Sequence, residues 1–66
     1  MMTVDDVREF VEDIRHAADD DEVAHSMEDE LYVAILQAIA NGADNPEKLA
    51  AEALKTKDIE FSRWCA

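Results

Sequence analysis

Glycine and proline are nearly absent. Gly42 and Pro46 are the only ones in 66 residues, and they sit four positions apart. Both residues punctuate structure, so this scarcity predicts long helical stretches with one clear break between them. It also removes the glycine-rich loops that cradle phosphate groups. Cysteine is present once, as Cys65, so no internal disulfide can form. A lone cysteine suits a reducing compartment better than a stapled secreted scaffold. Long apolar runs are missing too. The longest covers residues 31–36, far short of the roughly 20 residues that span a bilayer. The N-terminal segment Met1-Met2-Thr3-Val4-Asp5-Asp6 turns acidic early and has no apolar signal core. Together these absences predict a cytoplasmic chain that makes no membrane contact.

Basic residues are the other shortage. Six Lys and Arg face seventeen Asp and Glu, for a net charge of −11. The imbalance is uneven. Residues 1–30 hold twelve acids against Arg8 and Arg15, whereas residues 31–66 hold five acids against four bases. A field of this sign repels phosphate, which argues against direct binding of nucleic acid or an anionic membrane and favours basic partners.

What remains reads as a small all-α protein, a three-helix bundle forming one domain over residues 1–66. Val4, Val7, Val11, Ile14 and Ala18 recur at three- and four-residue steps, which places them on one helical face. The first helix is therefore expected over residues 4–18, with Thr3 and Asp6 as a capping box. The acidic run at residues 19–22 suggests a bend, because adjacent like charges repel and Asp is a poor helix former. A second helix is expected over residues 26–40, capped by Ser26 with Asp29. Its apolar residues surround most of its circumference, which predicts the central, most buried position. Asn41-Gly42 should end it. A third helix should start at Asn45-Pro46, with Asn as cap and Pro in the first turn, and run to about residue 57. The tail, residues 58–66, carries Phe61 and Trp64 and is expected to pack onto the helices, since exposed aromatics invite aggregation.

Site chemistry is thin. A calcium loop needs glycine at its sixth position; counting from Asp19, Asp20 or Asp21, that position holds Ala24, His25 or Ser26. Glu22 and His25 have the Glu-x-x-His spacing of di-iron bundles, but those bundles need two such motifs. His16 and His25 are expected as surface imidazoles. Ser26 and Thr3 are explained as caps, and Cys65 stands one residue from the end of the sequence. No metal, cofactor or enzymatic activity is expected.

Residues 49–66, from Leu49-Ala50-Ala51-Glu52 through Phe61-Ser62-Arg63-Trp64-Cys65-Ala66, resemble the C-termini of small acidic proteins encoded by actinobacteria and their phages. The resemblance implies a small accessory protein, expressed by a phage to act on a host protein. It carries over no functional residue.

The expected function is a non-enzymatic protein-interaction module. Asp5, Glu9, Glu12, Asp13, Asp19, Asp20, Asp21 and Glu22 would meet a basic partner surface, and Phe61, Arg63 and Trp64 form a candidate aromatic anchor. Alternatives are a DNA mimic that inhibits a nucleic-acid-binding protein, and a structural homodimer. The apolar stripe of the first helix spans only about two heptads, too short to argue strongly for a coiled coil.

Overall fold

The computed structural model describes residues 2–63. The protein is all-α: α1 is Val4–His16, α2 is Asp21–Ala40 and α3 is Pro46–Ala53, followed by a 3₁₀ segment, Leu54–Asp58.

Helix α1 begins as its sequence dictates. The Thr3 hydroxyl accepts a hydrogen bond from the Asp6 N–H at 3.2 Å, and the Asp6 carboxylate accepts one from the Thr3 N–H at 2.9 Å. This reciprocal cap satisfies two backbone donors that a helix start would otherwise leave open. Val7, Val11 and Ile14 are buried, as their spacing requires. The helix stops at His16, two residues before the expected end, and a turn carries the chain to Asp20.

The start of α2 corrects the expected boundary. The helix begins at Asp21, not residue 26, and Ser26 lies inside it. Asp20 is the cap: its carboxylate accepts from the Val23 N–H at 3.2 Å. Asp21 and Glu22 occupy the first turn, where negative charge meets the positive end of the helix dipole. The acids that would repel within a helix thus initiate one.

The exit from α2 follows the glycine. Gly42 has φ +84°, and its N–H donates to Ile39 O while the Ala43 N–H donates to Ala38 O. This pair of bonds is the Schellman arrangement, which needs a left-handed residue at that position. Asn45 is also left-handed, with φ 53°, and its side chain makes no cap bond. Its carbonyl instead accepts from the N–H groups of Lys48 and Leu49, while Pro46 opens α3.

The core joins Val7, Val11 and Ile14 of α1 with Ala24, Leu31 and Ile35 of α2, Leu49 and Ala53 of α3, and Ile59 beyond the 3₁₀ segment. Phe61 packs against this cluster. Trp64, the other aromatic of the tail, lies outside the described residues.

One expectation about burial fails. Helix α2 is not enclosed, because Val33, Leu36 and Ile39 are exposed. The reason is length. Twenty residues make α2 about 30 Å long, whereas the eight of α3 make about 12 Å. A short third helix cannot cover a long second one, and the body is correspondingly flat, with Cα extents of 33 × 22 × 15 Å.

Candidate partner-binding surfaces

All eight acids expected at a partner surface are exposed. Asp5, Glu9, Glu12 and Asp13 lie on α1 at relative positions 0, 4, 7 and 8. At about 100° per residue this set spans an arc of about 100° centred opposite the buried valines. Asp5 pairs with Arg8 at 3.5 Å and Glu12 with Arg15 at 3.4 Å, both in the open. Exposed pairs of this kind contribute little stability. Glu9 and Asp13 have no such arginine among the described residues.

The acids of residues 19–22 divide by role. Asp20 caps α2. Asp21 reaches the tail, its carboxylate accepting from the Ser62 N–H at 2.9 Å. These two hold the fold together, whereas Asp19 and Glu22 are exposed.

Arg63, expected as part of an aromatic anchor, is tied to α2 and to the 3₁₀ segment. Its guanidinium meets Glu28 of α2 through three bonds: Nε to Oε1 at 2.9 Å, Nε to Oε2 at 3.2 Å and Nη2 to Oε2 at 2.9 Å. Nη2 also donates to Thr56 O at 2.7 Å and Ile59 O at 3.2 Å, so the arginine closes the end of the 3₁₀ segment. Its charged carbon sits 3.9 Å from the centre of the Phe61 ring, within cation–π range. Glu28 is only 5% exposed. A buried carboxylate of this kind requires a charged, hydrogen-bonded partner, and the tail supplies it. Beside the pair, the Tyr32 and Thr56 hydroxyls share a 2.6 Å hydrogen bond, which satisfies the fully buried Thr56 side chain.

Burial pushes the Glu28 carboxyl up. Hydrogen bonds from Arg63 and Thr56, with the charges of Arg63 and His25, outweigh it and leave the group below its ordinary 4.5. A carboxyl lowered on folding adds stability above its unfolded value and loses it as pH falls through the folded value. The melting-temperature difference between the wild type and Glu28→Gln should therefore be full above pH 4.5 and shrink on further acidification. A difference that stays constant into strong acid would show that ionised Glu28 is not the stabilising species.

The same rule applies at the surface. Glu52 of α3 accepts from Arg8 of α1 at 3.2 Å and from Lys55 at 3.1 Å. Hydrogen bonding from Lys55, assisted by Arg8 and opposed by desolvation, holds its carboxyl below the usual range.

A second surface was not expected from the sequence. Tyr32, Ile35, Leu36 and Ile39 of α2 form an open apolar groove with Ala50, Ala53 and Leu54, of about 310 Å³. The available signal was that residues 31–40 carry no charge on any side of their helix. Among the described residues, no group of three or more His, Cys, Asp or Glu side chains is placed to hold a metal ion. No described helix is long and apolar enough to cross a membrane. Comparison with protein-family models, with curated proteins and with solved structures returns no match to this chain.

Proposed function

We propose that this protein is a non-enzymatic interaction module that docks a basic surface of another protein on the outer face of α1. The observation that carries this reading is the placement of Asp5, Glu9, Glu12 and Asp13 on one exposed arc opposite the core. Nothing in the fold requires Glu9 or Asp13 there. Concentrated charge of one sign steers an oppositely charged partner and speeds its encounter. Asp19 and Glu22 extend the surface, while Asp20 and Asp21 are committed to the cap and the tail. Arg63 is engaged by Glu28 of α2. The resemblance of residues 49–66 supports reading the chain as a phage accessory protein acting on a host protein, and the lone cysteine suits a reducing cytoplasm.

The test neutralises one face at a time. A Glu9→Gln/Glu12→Gln/Asp13→Asn variant is compared with an Asp44→Asn/Glu47→Gln/Glu60→Gln control for binding to a lysine- and arginine-rich helical peptide. Three lost charge contacts at about 0.5 kcal/mol each predict about tenfold weaker binding for the first variant. The control should bind like the wild type. Affinity should also fall as salt approaches about 0.15 M, where the screening length is about 8 Å. Equal binding by both variants would remove the α1 face from the proposal.

A further inference from the structure

We infer that residues 59–63 form a strap that docks on α2 as a unit of its own, fastened by the Glu28 carboxylate, and that it opens when Glu28 is neutral while the three helices stay folded. The strap differs from the body in what holds it. Every core residue but Ile59 lies in α1, α2 or α3, so the helices close their core without the strap. Residues 60–63 are not helical. Among the described residues, no backbone-to-backbone bond ties them to a helix. Ile59 and Phe61 give the strap its apolar contact with the core. The rest of its attachment is side-chain chemistry.

Two carboxylates of α2 provide that attachment. Asp21 accepts from the Ser62 N–H at 2.9 Å. Glu28 holds the Arg63 guanidinium at both carboxylate oxygens. The other Arg63 bonds run to the carbonyls of Thr56, Ile59 and Phe61. They shape the end of the strap without tying it to α2. Fastening therefore rests on the Glu28 charge. Bonds between ionised groups are about twice as strong as neutral ones. A neutral Glu28 holds the guanidinium weakly, and the arginine side chain, 35% exposed while docked, can turn to water. Opening also hydrates Glu28, so release does not strand a buried group. What opening uncovers is the α2 flank at Glu28, which is 5% exposed when the strap is closed.

Acid supplies the neutral state. Facing Glu28 are Arg63 on the strap, the Thr56 hydroxyl on the 3₁₀ segment and His25 on α2. Tyr32 bonds to that hydroxyl, and His25 also reaches Asp29 at 3.7 Å. Burial raises the Glu28 carboxyl, and these partners together lower it further, to below 4.5. Docking is thus at full strength above pH 4.5 and weakens as pH falls through the closed-state value.

Amide hydrogen exchange on the full chain, followed with helical circular dichroism, tests the inference. Local units open independently of the body and lose protection first. In the wild type, acidification from about pH 6 to about pH 3 should cut protection of the Ser62 N–H and the Arg63 Nε–H at least about tenfold. The Leu31 N–H inside α2 should keep its protection, and the helical signal should persist. Glu28→Gln should show the open strap already at neutral pH, which separates Glu28 from every other acid that titrates. Strap protection that survives acid overturns the inference. So does loss of Leu31 protection together with the strap, since that marks one cooperative unit. A Glu28→Gln protein that keeps wild-type protection at Ser62, or that loses its helices, overturns it as well. The α1 docking face is read by peptide binding and stands or falls separately.

Discussion

Replacing Arg63 with Ala is expected to cost about 2–3 kcal/mol and to lower the melting temperature by about 10–20 °C. The loss comes from what the substitution leaves behind. Glu28 stays in a site where it is 5% exposed, without the guanidinium that neutralises it. Removing one partner of a fully buried pair costs about 3–5 kcal/mol. The Arg63 side chain is 35% exposed, so water can partly replace it, and the smaller figure applies. Total stability for a 66-residue chain is about 3–10 kcal/mol, so the substitution removes a large share. Glu28→Gln should cost less, about 1–2 kcal/mol, because the amide is neutral and the arginine can turn toward water. A Glu28→Met/Arg63→Leu double variant should recover much of the loss, since an apolar pair needs no desolvation. Thermal melts of the wild type, Glu28→Met, Arg63→Leu and the double variant close a double-mutant cycle. Additive losses would show that the two side chains act independently.

Much of this fold was legible in the sequence, and the exceptions have physical causes. The Thr3–Asp6 box and the Gly42 exit were readable because local hydrogen bonding decides them. Residues 19–22 misled because adjacent acids have two opposite effects. They repel one another along a chain, yet they stabilise a helix start, and the second effect governs once Asp20 becomes the cap. Glu28 was missed because its partner lies 35 positions away. In sequence it is one more acid in Glu28-Asp29-Glu30, and only the return of the tail distinguishes it. The acidic set was identified by composition, but its internal division was not. Asp21 and Glu22 are neighbours of the same charge, and it is the Asp21 carboxylate that accepts from the Ser62 N–H. The exposed side of α2 was misjudged because hydrophobicity all round a helix was taken to mean burial, while the shortness of α3 limits how much of it can be covered.

The four leucines turn that last point into a measurement. Leu31 and Leu49 are 0% and 1% exposed, whereas Leu54 and Leu36 are 55% and 66% exposed. Truncating the first two to Ala removes packed methyl groups and leaves cavities, at about 3–4 kcal/mol each. Leu49→Ala should be the more damaging. An eight-residue helix is too short to persist without tertiary packing, and Leu49 and Ala53 are its buried residues. Its loss should release the 3₁₀ segment that carries Thr56 and so reach the Glu28–Arg63 pair. In dilute solution Leu36→Ala and Leu54→Ala should each change stability by less than about 0.5 kcal/mol, as surface substitutions do. Urea denaturation of the series measures this order, and comparable losses at all four sites would contradict the open face of α2.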